Sequence, residues 1–153
     1  MKKIIILNVL TIIFGIYPLC AQESDYYDMD FLIIHSGKEY DTALRLAKEA
    51  SRQLDMKLEL RGMYESPTEG LTTDELCGCG ENHGYIPRGR FDSGEYISIE
   101  YSDYYEGFTK GLYMVIVSTG GYIDEQKELL SSARKFYKDA YIKTSSVYLG
   151  CMH

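Results

Sequence analysis

The apolar positions of this chain follow three rhythms, and each rhythm predicts an element. "FLIIHSG", Phe31 to Gly37, is a short β-branched run closed by Ser-Gly and reads as a buried strand. In "DTALRLAKEASRQLD", Ala43, Leu46, Ala47, Ala50 and Leu54 recur at helical spacing, with Asp41 placed to cap the first turn. "KLELR", Lys57 to Arg61, alternates Leu58 and Leu60 inward against Lys57, Glu59 and Arg61 outward, the pattern of a half-buried strand. The succession then returns. "LYMVIVSTG", Leu112 to Gly120, predicts a second buried strand, and "YIKTSSVYLG" a closing one. Between them "DEQKELLSSARKFYKDA" predicts a helix with Leu129, Leu130, Ala133, Phe136 and Tyr137 inward.

The two units share an offset of 83 residues: Gly37 matches Gly120, Asp41 matches Asp124, and Ala50 matches Ala133. Two strand-helix-strand units at a fixed offset imply an α+β fold of the ferredoxin-like, split βαβ kind, with an antiparallel sheet and both helices on one face. Residues 63–95 form a long insert containing Gly, Cys, Pro67 and Pro87, too long for an ordinary connection. It leads into "YISIEY", which alternates Ile97, Ile99 and Tyr101 inward against Tyr96, Ser98 and Glu100 outward, a further strand. The expectation is one domain, 31–153, with about five strands and two helices, preceded by a mobile lead-in at 22–30.

The first 21 residues change the picture. Lys2 and Lys3 precede an apolar run from Ile4 to about Leu19, then small residues, which is the order of a secretory signal peptide. The run is short and interrupted for a membrane span, and Leu19 before Cys20 is large for lipid attachment. Cleavage after Ala21 would leave roughly 132 residues, with Gln22 first and the chain periplasmic or secreted. Losing the two lysines takes the balance from 16 basic against 23 acidic residues to 14 against 23, a net charge near −9. That surface disfavours nucleic acid and anionic lipid as partners.

The order of elements, the export signal and "YMVIVSTG…DEQKELLSSARKFYKDAYIKTSSVYLG" resemble the SPOR domain (sporulation-related repeat) of bacterial envelope proteins. The resemblance covers residues 31–61 and 112–150, leaving the insert and its extra strand outside the minimal domain. It implies a non-catalytic module that binds peptidoglycan glycan strands on the sheet face left bare by the helices. On that face the alternation would present Tyr96, Ser98 and Glu100, joined by Lys57, Glu59 and Arg61 if their segment lies in the same sheet. Tyr104 and Tyr105 would sit on the following turn, and Arg88 and Arg90 of "PRGR" would reach acidic groups. Solvated tyrosines and a simple basic turn account for the same residues without any ligand.

"CGCGENHG", Cys77 to Gly84, holds two of the three cysteines of the processed chain. In an oxidising compartment the favoured reading is a disulfide from Cys77 or Cys79 to Cys151, closing a loop of roughly 72 to 74 residues and contributing about 4 kcal/mol. The alternative is a metal site drawn from Cys77, Cys79, His83, Cys151 and His153; a further one is free or redox-active thiols. No cofactor is expected. Nucleophile elbows, zinc-protease helices, phosphate loops and dinucleotide fingerprints are all missing from the sequence, so a non-enzyme is expected. A protein-interaction module of the envelope, such as an immunity or inhibitor protein, is the alternative to glycan binding; strong acidity suits a basic partner.

Overall fold

The computed structural model describes residues 26–74, 87–88, 95–119 and 123–148. The chain is α+β, with two helices, a four-stranded antiparallel sheet and a separate two-stranded hairpin among the described residues. The predicted signal segment lies outside them, and so do Cys77, Cys79, His83, Arg90, Cys151 and His153. Among the described residues no helix is long and apolar enough to cross a membrane.

Strand β1 runs Tyr26–Gly37, with Phe31 to Ile34 all buried. It can carry four consecutive apolar residues because it lies between two other strands and is covered on both faces. Its first five residues, expected as a mobile lead-in, belong to the strand instead. Tyr26 pairs with Tyr148 and Asp30 with Thr144 on β6, Tyr141–Tyr148, so the backbone groups of "YYDMD" are held in a ladder. The polar side chains of that stretch had concealed a strand whose outer half is solvated.

Helix α1, Tyr40–Gln53, packs Ala43, Ala47 and Ala50 fully inward; three alanines on one stripe let its backbone come close to the sheet. Asp41 is not its cap. The cap position is Glu39, without a side-chain bond, and Asp41 lies in the first turn. The helix starts early enough for the Tyr40 ring to meet Tyr113 edge-on at 5.4 Å. After Leu54 closes on the Ala50 carbonyl, Asp55 takes a left-handed φ of 52°. Ser51 Oγ donates to the Met56 carbonyl at 2.6 Å and secures the exit.

"KLELR" does not become a strand. Leu58 forms a single parallel bridge to Ile97, where Glu59 N–H donates to Ile97 C=O and Ile97 N–H to Lys57 C=O, each at 2.8 Å. Arg61 and Gly62, at φ 54° and 66°, then turn the chain away before a ladder can grow. Among the described residues the sheet therefore has four strands where about five were expected. The hairpin β2, Tyr64–Ser66, and β3, Gly70–Thr72, follows.

Strand β4, Ser98–Tyr101, and β5, Tyr113–Thr119, complete the sheet in the order β4-β5-β1-β6. All seven residues of β5 are buried. Helix α2, Ile123–Ala133, is shorter than the periodicity suggested. Beyond Ala133 the chain proceeds by turns, with Arg134 Nε donating to the Ala140 carbonyl at 2.9 Å. Phe136, expected inward, is consequently 52% exposed, while Ala133 is fully buried. Gln126 of α2 donates to the Asp30 carbonyl of β1 at 3.4 Å, and Tyr137, beyond the helix, feels the charges of Glu49, Arg45 and Arg52 of α1.

Register assigns the faces. Ser98 and Glu100 stand opposite Ile116 and Met114, and Ile116 stands opposite Ile33, so these side chains share one face. Ile99 and Tyr101, opposite Val115 and Tyr113, occupy the other, where Tyr40 places α1.

Candidate functional site

The face opposite α1 is where the sequence placed its ligand-binding residues, and it is filled by the chain itself. Tyr96, Ser98, Glu100, Tyr105 and Arg88 are all buried rather than presented to solvent. Arg88 enters from the insert. Its guanidinium lies 3.9 Å from the centre of the Tyr96 ring, and Nη1 donates to Ser98 Oγ at 3.0 Å and to the Ile116 carbonyl at 3.1 Å. The Arg88 backbone N–H donates to Tyr105 Oη at 2.9 Å and to Glu100 Oε2 at 3.3 Å. Tyr105 Oη in turn donates to Glu100 Oε2 at 2.7 Å, and Arg61 Nη2 to Glu100 Oε1 at 2.6 Å.

Burial pushes the Arg88 pKa down, and the neighbouring Glu100 carboxylate works against that shift. Taking such charges out of water costs several kcal/mol per ion, an outlay that close hydrogen bonds must offset. Glu100 meets part of that demand by accepting from Arg61, Tyr105 and the Arg88 backbone, while the Arg88 guanidinium bonds Ser98 and the Ile116 carbonyl. The cluster is a clasp that ties Arg88, and with it the insert, to β4 and β5.

The same face is closed toward β6 by the segment after β4. A single turn of 3-10 helix, Ser102–Tyr104, leads to Tyr105, whose ring stands edge-on to Phe31 of β1 at 5.1 Å. Phe108 follows, 6.1 Å from Tyr105 and beneath the Lys143 ammonium of β6 at 4.3 Å. Ser145 Oγ donates to the Glu106 carbonyl at 3.2 Å, and Lys143 Nζ donates to the Gly107 carbonyl. From β4 across to β6, the expected bare face carries a strap of this chain.

The other side of β4 is different. Tyr101 meets Tyr113 at 5.2 Å and Tyr104 at 6.5 Å, and Tyr113 meets Tyr40, so four rings run in sequence from α1 to the turn after β4. Gly70 of β3 lies against the Tyr101 ring; at φ 77° it leaves no room for a Cβ, which would fall 2.4 Å from ring carbons. Tyr113 Oη donates to the Gly70 carbonyl at 3.1 Å and faces Glu65 Oε1 at 3.4 Å. Tyr64 of β2 donates to Asp74 at 2.7 Å. Tyr64 and Tyr104 are 43% and 42% exposed, and Glu65, Glu69, Asp74 and Asp103 are exposed around them.

These carboxylates leave a signature on the phenols. Tyr113 is pushed up to about 12, first by burial and then by Glu65. Tyr104 is raised by burial, with Glu69 and Asp103 adding to it, and Tyr64 by its bond to Asp74, with burial and then Asp74 and Glu69 adding. Tyr101 is raised by burial and Asp103. The belt therefore lies in a negative field. Lys110 enters it, its Nζ donating to the Asp103 carbonyl at 2.6 Å.

Of the predicted site residues that the structure describes, only Tyr104 is on this surface; Lys57 and Glu59 pair with each other at 2.6 Å in solvent. Arg90 and the cysteine and histidine candidates of the disulfide and metal readings lie outside the described residues. Tyr40, Tyr64, Tyr101 and Tyr113 were missed as a group because they are far apart along the chain. The one local clue was "MYESPTEG", where a tyrosine and two glutamates bracket a turn. Comparison with protein-family models, with curated proteins and with solved structures finds no match to this chain.

Proposed function

We propose that this chain is an exported, non-catalytic binding module of the bacterial cell envelope, and that its partner is a protein rather than a glycan strand. The order β4-β5-β1-β6 supports the split βαβ reading. The two strands that precede helices, β1 and β5, are central neighbours, and those that follow them, β6 and β4, are the edges. In that arrangement the insert interrupts the first unit between α1 and β4. This strand order is consistent with a SPOR-like fold carrying an insertion, while the ligand follows from the site and not from the fold.

One observation carries the choice of partner. The sheet face on which a glycan strand would lie is covered by Arg88, Tyr105 and Phe108, whereas two exposed rings, Tyr64 and Tyr104, lie on the opposite side of β4 amid exposed carboxylates. Exposed tyrosines rimmed by charge are characteristic of protein contact surfaces.

The test has two arms. The processed chain, beginning at Gln22, is mixed with purified peptidoglycan sacculi, intact and stripped of stem peptides. In parallel it is photo-crosslinked within a bacterial envelope, and the adducts are identified by mass. A discrete protein adduct with no sedimentation on either sacculus preparation is expected. Sedimentation with stripped sacculi would transfer the assignment to glycan binding.

A further inference from the structure

We propose that the turn between α2 and β6 rests on an anionic lipid bilayer, with the Phe136 ring among the headgroups and the cations beside it bonding lipid phosphates. The turn hangs between two buried alanines, Ala133 and Ala140. Along it Arg134, Lys135, Phe136, Lys138 and Asp139 are exposed, and only Tyr137 is half-buried. Three of those five exposed positions are cationic and one is acidic. Among the described residues none of the three cations enters an ion pair. A net charge of −7 argues against anionic lipid for the chain as a whole. Charges more than about 10 Å from a contact are largely screened, however, so a bilayer meets this turn and not the average of the chain.

Phe136 distinguishes the turn from a solvated basic loop. Its ring is 52% exposed, and the backbone holds it there. The Phe136 and Tyr137 N–H groups both donate to the Ala133 carbonyl, at 3.0 and 2.8 Å, and Ala140 N–H donates to the Tyr137 carbonyl at 3.0 Å. Arg134 Nε closes the turn on the Ala140 carbonyl. An apolar ring is thereby kept in water with a cation on either side of it in the chain. A headgroup layer closes around such a ring, while Lys and Arg stems lie along the boundary and carry their charges to phosphate level. A protein occupant would need a pocket for the ring with an acidic rim. Arg45 and Arg52 of α1, close enough to act on the Tyr137 phenol, add positive charge to this side. The acidic group acting there, Glu49, is already bonded by Arg45 at 3.5 Å and Gln53 at 3.0 Å.

The probe is a set of vesicles, phosphatidylcholine alone or with an equal part of phosphatidylglycerol, sedimented with the processed chain at low and high ionic strength. Binding should be about tenfold tighter on the mixed vesicles, and high salt should remove most of that gain. Lys135→Gln combined with Lys138→Gln should abolish most of it as well. Phe136→Ser should weaken binding to mixed vesicles about fivefold. All three positions are exposed, so unfolding midpoints should stay in place. The chain has no tryptophan, and Phe136→Trp therefore supplies a single fluorophore whose emission should shift to the blue on mixed vesicles. Equal binding to both vesicles, an unshifted emission, or variants that bind as the original chain does would overturn the proposal. A blue shift with hexa-glutamate and none with vesicles would also overturn it, assigning the turn to an acidic protein segment. The inference makes no use of Tyr64 or Tyr104, so it stands or falls independently of the envelope crosslinking.

Discussion

Glu100 and Tyr101 are neighbours in β4 and lead opposite lives. Glu100 points into a buried clasp where it accepts from Arg61, Tyr105 and Arg88; Tyr101 points into a belt of rings that grades into solvent. Both sides are built from tyrosine and carboxylate. The difference is that the inner side receives two arginines from its own chain, Arg61 and Arg88, whereas at the outer side Lys110 bonds the Asp103 carbonyl. Polar side chains on a strand thus mark a surface only when nothing in the chain returns to complete them.

The strongest test of that contrast removes the inner carboxylate. Glu100→Ala leaves the Arg61 guanidinium and the Arg88 backbone N–H without their shared acceptor, and the buried Arg88 charge without its neighbouring carboxylate; it should cost about 3–5 kcal/mol, read by urea unfolding of the processed chain. Adding Arg88→Met should recover part of that loss, because a neutral side chain of similar length no longer needs an anion. A double variant no more stable than Glu100→Ala would show that the clasp is not held by this pair.

Next in size is the outer side's own packing constraint. Gly70→Ala introduces a Cβ at φ 77° against the Tyr101 ring and should cost about 1–3 kcal/mol. The change should also disturb the near-ultraviolet circular dichroism of the tyrosine belt. An unchanged spectrum and midpoint would mean that the hairpin does not press on β4.

A smaller effect follows from titration. Below pH 10 the Tyr113 phenol is protonated in folded and unfolded chains alike. Between pH 10 and about 12 the unfolded chain releases the proton while the folded one keeps it, so stability falls as pH rises through that window. Tyr113→Phe should flatten the part of the decline that begins near pH 10, measured by denaturant midpoints across the range. The smallest effect is expected at Tyr104, where Tyr104→Ser should change stability by no more than about 0.5 kcal/mol. A larger loss there would place the ring in the core and remove it from the contact surface.

The sequence carried the skeleton well where burial is continuous. Phe31–Ile34 and Met114–Val117 read as buried strands, and the Ala43, Ala47, Ala50 stripe as the inner face of a helix, since each pattern has one physical explanation. Legibility failed where a pattern has two. "KLELR" alternates as a half-buried strand does, yet two left-handed residues, Arg61 and Gly62, end its pairing after one bridge. "YYDMD" is as polar as a loose leader and is nonetheless a strand, held by pairing to β6 rather than by burial. In "YISIEY" the alternation was right and the outward assignment was not. Tyr96, Ser98 and Glu100 do share a face, but Arg88 and Tyr105 cover it.

Period and composition, taken alone, determined which residues share a face, the α+β class and the acidity of the surface, because these depend on neighbours a few residues away. The tertiary structure decided which polar face would be wet. That outcome rests on Arg88 and Tyr105 arriving from outside β4, and on the hydrogen bonds that make a buried charge tolerable only when all its partners come together.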